Sequence, residues 1–120
     1  MNKDNNIIVE KPWGYYKVLL VNKEKKIKIK ELIIYPNQKI SFQRHFKREE
    51  RWSVLEGVGI FSNDRESFKI FQNDVIVVPI EGWHTVENIG SDNLFIMEVQ
   101  LGEFLEEDDI ERKNDIYGRV

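Results

Sequence analysis

The 120-residue sequence predicts an all-β fold, a double-stranded β-helix or jelly-roll barrel, on three observations. Apolar residues recur with period two in short runs. Turn-forming residues interrupt those runs every few positions. No stretch before residue 103 carries the 3.6-residue apolar period of a helix. Taken in order, Tyr15–Leu20 is the first candidate strand. Lys26–Ile34, within KIKIKELII, alternates lysine with isoleucine as a half-buried strand does. Pro36-Asn37 turns the chain, and Ile40–His45 follows. Trp52–Leu55 and Gly59–Ser62 flank Gly57, whose freedom of φ permits a tight hairpin. After a turn at Asn63-Asp64, Phe68–Phe71 and Val75–Val78 surround Gln72-Asn73-Asp74. His84–Glu87 and Leu94–Leu101, joined by IGSDN, complete nine strands. Residues 103–111, EFLEEDDIE, make a short acidic C-terminal tail suited to a helical turn or a loop. No repeat, linker or low-complexity segment divides residues 1–120, which read as one domain with one core.

Composition narrows the function classes. The chain is 41% hydrophobic and 12% aromatic, enough apolar surface for a core. A net charge of −3 argues against a nucleic-acid partner, which calls for a basic face. Lys23, Lys25, Lys26, Lys28 and Lys30 cluster, but read as a solvated strand and loop. With no cysteine there is neither a disulfide nor a thiolate site, so any metal is held by nitrogen and oxygen. The longest apolar run, Val75 to Ile80, is too short to cross a bilayer as a helix, and MNKDNNIIVEK lacks the apolar stretch of a secretory leader. The expectation is a cytoplasmic protein with no membrane partner.

The two histidines carry the chemistry. His45 lies in the spacing Gln43-x-His45-x4-Glu50-x6-Gly57, and His84 in Pro79-x-Glu81-x2-His84-x3-Asn88. These intervals match the paired cupin motifs G-x5-H-x-H-x4-E-x6-G and G-x5-P-x-G-x2-H-x3-N. Residues i and i+2 of a strand share a face, so Gln43 and His45 project together, with Ser41 before them. Glu50 approaches from across the following turn and His84 from the second motif. One amide oxygen, one carboxylate and two imidazoles suit Zn²⁺, Mn²⁺, Fe²⁺, Co²⁺ or Ni²⁺ without choosing among them. The alternative is a barrel that keeps these groups as a polar lining. Asn37, Asn73 and Glu81 stand where the motifs carry glycine, and asparagine tolerates positive φ better than most residues.

Beyond these motifs the chain resembles the C-terminal cupin domain of type II phosphomannose isomerase, a domain usually fused to a mannose-1-phosphate guanylyltransferase. KPWG at 11–14, Lys28-Ile29-Lys30, the Gln43-to-Trp52 core, Pro79, His84, Glu87, Asn88 and Glu98-Val99-Gln100 carry the likeness, which closes with EDDIER at 107–112 and YGR at 117–119. The resemblance implies a metal-dependent aldose–ketose isomerase converting mannose 6-phosphate and fructose 6-phosphate through an enediol(ate), with zinc on Gln43, His45, Glu50 and His84. Two imidazoles common in the family are replaced here by Lys47 and Arg51.

An isomerase needs a cation at the developing oxyanion, a base for the C–H proton and cations for phosphate. Arg112, Lys30 and Glu98 are the candidate catalytic residues, the first two as phosphate or enediolate contacts and Glu98 as acid or base. Arg119 and Trp83 are the candidate substrate contacts, one on phosphate and one stacked on a sugar. For the charged groups the alternative is an ion pair or a buried structural carboxylate, and for Trp83 a core position. Two other functions remain open: a non-catalytic sugar-binding or regulatory cupin assisting a separate nucleotidyltransferase, and an isomerase or epimerase of a nucleotide-linked sugar. Exposed edge strands make a homodimer the expected assembly.

Overall fold

A computed structural model describes residues 7–113. Among these, eleven strands and no helix are found. The larger antiparallel sheet runs, in spatial order, β1 (Ile7–Lys11), β2 (Gly14–Asn22), β3 (Ile27–Ile34), β10 (Leu94–Gly102), β5 (Arg48–Glu56) and β8 (Val75–Val78). The smaller runs β11 (Glu111–Lys113), β4 (Phe42–Arg44), β9 (His84–Asn88), β6 (Val58–Asn63) and β7 (Ser67–Phe71). All nine expected strands are present in this double-sheet architecture. No helix among the described residues is long and apolar enough to cross a membrane.

Three features depart from the expectation. β1 precedes the first expected strand and pairs with β2 from Ile7↔Val18 to Lys11↔Gly14. β5 begins at Arg48 rather than Trp52. Residues 103–110 form the expected loop, and beyond it an additional strand, β11, finds backbone partners on β4, with Arg112 opposite Gln43.

The turns follow the glycine register of the motifs. Asn37, Asn73 and Glu81 all sit at positive φ, of 66°, 79° and 64°. Gly14 in the KPWG segment is required by close approach, since a Cβ there would collide with the Ile33 carbonyl.

Alternation fills the space between the sheets. Toward one end the inward residues are apolar: Leu32, Ile34, Val54, Phe61, Ile70, Val86, Leu94 and Ile96 are all buried. Toward the other end the same inward positions become polar, with Lys30, Arg48, Glu50, His84, Glu98 and Gln100 buried. Trp52 marks the boundary. Its ring meets Phe61 and His84 edge-on, each at 5.6 Å between centroids. The lysine–isoleucine alternation of β3 therefore holds with its faces exchanged. Lys30 takes the inner face, 3% exposed, opposite Glu98.

Candidate metal centre

Two strands of the small sheet and one of the large sheet bring the candidate ligands together. Gln43 on β4 pairs directly with His84 on β9. His45 lies at the corner after β4, and the chain then crosses to the opposite sheet, so that Glu50 on β5 faces both rings. His45 Nε2 is 3.2 Å from Glu50 Oε2, and His84 Nε2 is 3.6 Å from Glu50 Oε1. One donor atom from each of His45, Glu50 and His84 lies within 4.8 Å of the others.

Backbone carbonyls fix both tautomers. His45 Nδ1 donates to the Asp109 carbonyl at 2.7 Å, and His84 Nδ1 to the Gly82 carbonyl at 2.9 Å. In the neutral rings both Nε2 atoms therefore carry lone pairs turned toward a carboxylate, the second-sphere pattern of metal-ligating histidine. His84 Nε2 is buried without a hydrogen-bond partner. Acceptors converging in this way call for a positive charge, met in part by the Arg48 guanidinium, and the donor set fits a divalent metal. Gln43 is turned differently: its Oε1 accepts from Ser41 Oγ at 2.8 Å, and its Nε2 faces His45 Nε2 at 3.3 Å. Rotating the amide would present oxygen to the centre, with the Ser41 hydroxyl accepting instead.

Burial drives both imidazoles neutral, pushing His45 down to about 4 and lowering His84. Burial opposes ionisation of Glu50, but the neighbouring His45 ring and the Arg48 guanidinium hold its carboxyl below the usual range. Arg48 is the member of that pair that is charged at neutral pH. Its Nε and Nη2 both lie 2.9 Å from Glu50 Oε2. Glu98 shows the opposite behaviour: burial and the adjacent Glu50 charge push it up to about 8. Trp52 Nε1 donates to both carboxylates, at 3.1 Å to Glu50 and 3.2 Å to Glu98.

A small cavity of about 50 Å³ opens beside this set, lined in part by Lys30, Gln43, His45, Arg48, Glu98 and Arg112. The structure thus gathers the four candidate ligands with Lys30, Glu98 and Arg112. Trp83 stands apart from that cavity. Its ring packs on Phe42, with Arg44 at 4.8 Å and the Lys113 Nζ at 4.2 Å from its centroid. Arg119 lies outside the described residues. Lys47 and Arg51 are exposed, so the two replaced imidazoles fall away from the centre.

Sequence reasoning missed three residues. Arg48 was legible by parity with Glu50 and Trp52 once β5 is extended. Glu107 reaches Lys30 Nζ at 2.6 Å. Asp109 accepts from the Phe46 and Lys47 amides at 3.0 Å each, holding the corner that carries His45. The last two lie in the EDDIER segment of the family likeness, but nothing in its spacing shows which residues they reach across the fold.

Comparisons with known proteins identify the family and the fold. The family model described as "Mannose-6-phosphate isomerase C-terminal" matches residues 2–115. The alginate biosynthesis protein AlgA of Pseudomonas aeruginosa is 36% identical over 116 residues, covering 97% of this chain and 24% of the relative. The mannose-1-phosphate guanylyltransferase ManC of Salmonella typhimurium is 34% identical over 112 residues, covering 93% of this chain and 23% of the relative. The chain thus spans about a quarter of the length of the curated relatives it matches. Among solved structures, the capsular polysaccharide assembling protein CapF of Staphylococcus aureus superposes with a TM-score of 0.73 at 15% identity, covering 89% of this chain and 34% of that one. A double-stranded β-helix protein of Klebsiella pneumoniae superposes with a TM-score of 0.70 at 13% identity, covering 96% and 90%. These two likenesses establish the fold.

The expectation that the chain is itself a mannose-6-phosphate isomerase-like enzyme is corrected here. The relatives named above are called guanylyltransferase and alginate biosynthesis protein, not isomerase. What stands is a sugar-related cupin with relatives in polysaccharide biosynthesis.

Proposed function

Because the chain belongs to the mannose-6-phosphate isomerase C-terminal family, we propose that it is a metal-holding, non-catalytic cupin that recognises a hexose phosphate and works beside a separate nucleotidyltransferase. One observation carries the reading. Two tautomer-fixed imidazoles turn their lone pairs onto Glu50, next to a cavity lined by Lys30, Arg48 and Arg112. His45, His84, Glu50 and, after rotation of its amide, Gln43 would hold the ion. Zinc is our assignment among the borderline cations such a set accepts. A bound ion would supply a Lewis-acid contact for a sugar hydroxyl or carbonyl oxygen. Lys30 and Arg112 would receive the phosphate, and protonated Glu98 would donate a hydrogen bond. The names of the relatives support mannose phosphates as the first ligands to try.

Elemental analysis of purified protein, followed by calorimetric titration with mannose 6-phosphate and mannose 1-phosphate, tests this function. The expected result is one equivalent of divalent metal and sugar-phosphate binding that weakens on chelation and in Lys30→Ala, without turnover. Metal-loaded protein that binds neither sugar would reject the reading. We also propose a homodimer, supported by the exposed edge strand β8, where Val75 and Val77 are 69% and 59% exposed. Sedimentation equilibrium measures it directly.

A further inference from the structure

The ligand set already contains a cation of its own. Arg48 projects inward from β5 because it shares the face of Glu50 and Trp52, and it is 3% exposed. Its guanidinium places Nη2 2.9 Å from Glu50 Oε2 and 3.3 Å from His45 Nε2. Those are two of the atoms whose lone pairs a metal requires. The Nε contact to Glu50 is a charge-assisted hydrogen bond, among the stronger kinds that proteins make, and the Nη2 contact adds an ion pair to the same oxygen.

We infer that Arg48 is a displaceable internal counter-ion, which keeps Glu50 neutralised while the centre is empty of metal and must withdraw when a divalent cation binds. An isolated buried carboxylate facing two imidazole lone pairs would be strongly destabilising. Arg48 removes that penalty, so folding does not depend on metal. The same contact opposes metal entry, because the ion must replace the hydrogen bond and ion pair to Glu50 and the contact to His45. A destination for the guanidinium is already within reach. Arg48 Nη1 lies 3.4 Å from the Glu106 carbonyl and 4.0 Å from Glu107 Oε2, both on the tail that borders the cavity. Withdrawal toward Glu107 would exchange one carboxylate partner for another and draw Glu107 from Lys30, its present partner at 2.6 Å. Metal binding is thereby linked to release of Lys30 for an anionic ligand.

The inference rests on the metal-holding reading above, and the experiment separates the two. Chelator-stripped wild type, Arg48→Gln and Arg48→Met are titrated with Zn²⁺ and with Co²⁺ against a chromophoric chelator, and thermal unfolding is followed with and without metal. The expected result is at least tenfold tighter metal binding in both variants. Without metal their melting temperatures should fall below that of the wild type, and metal should raise them by more than it raises the wild type's. Equal or weaker binding in the variants, with the wild type still binding metal, overturns the role of Arg48 alone. Absence of binding in all three proteins overturns the metal centre and this inference together. If neither variant folds, the wild-type Arg48 Nε–H resonance is followed during Zn²⁺ titration. A shift and a loss of exchange protection support displacement, and an unmoved resonance at metal saturation refutes it.

Discussion

Glu98→Gln in the metal-free protein offers the sharpest check on the electrostatics of the polar end. Burial and the neighbouring Glu50 raise the Glu98 carboxyl from 4.5 to about 8. Between those two values the unfolded chain has released this proton while the folded chain retains it, so stability falls as pH rises through the window. The contribution is fully present below about pH 4.5 and lost by about pH 8. At about 1.4 kcal/mol per pH unit, the whole window corresponds to roughly 5 kcal/mol. Glutamine stands in for the neutral acid: it can donate to Glu50 and accept from Gln100, whose Nε2 lies 2.7 Å from Glu98 Oε1, while Trp52 Nε1 keeps Glu50 as its acceptor. Urea unfolding of parent and variant in chelator, from pH 5 to pH 9, should therefore give nearly equal stabilities at pH 5. At pH 9 the variant should be several kcal/mol more stable. Taking the difference between the two proteins cancels the opposite pH dependence of His45 and His84, which both share. Curves that stay parallel over the window would refute a protonated Glu98 and the Glu50 charge invoked to explain it.

Other substitutions test separate parts of the scaffold. Glu81→Gly should stabilise the fold by about 1 kcal/mol, read as a higher urea midpoint at unchanged slope, because a side chain at φ 64° is strained where glycine is not. Trp52→Phe removes an N–H shared by two buried carboxylates and should cost about 2–3 kcal/mol in the same assay. Asp109→Ala leaves the Phe46 and Lys47 amides without their acceptor. It should cost about 2 kcal/mol and speed hydrogen exchange at those two positions.

Much of this architecture is legible in the sequence. Period-two runs located nine strands, and the i, i+2 rule put Ser41, Gln43 and His45 on one face, where Ser41 does bond Gln43. The motif register also marked Asn37, Asn73 and Glu81 as glycine positions, and all three adopt positive φ. The failures share a cause. The run KREER looks like a solvated turn, which hides both the start of β5 at Arg48 and the inward face that Arg48 takes. In KIKIK the alternation was plain, but nothing local says that the barrel interior turns polar at that level and receives Lys30. Asp109 reaches His45 across a sequence separation of 64 residues. Such a contact depends on the tail pairing with β4, a choice made by tertiary structure rather than by propensity.

The placement of Trp52 gives the molecule a built-in optical gauge. Its indole is 0% exposed and bonded to the carboxylate that faces both histidines. An ion or proton arriving at Glu50 must alter the field along that ring, and a paramagnetic ion there would quench its emission. With Trp13 and Trp83 replaced by phenylalanine, fluorescence would follow events at the centre of the barrel with no added label.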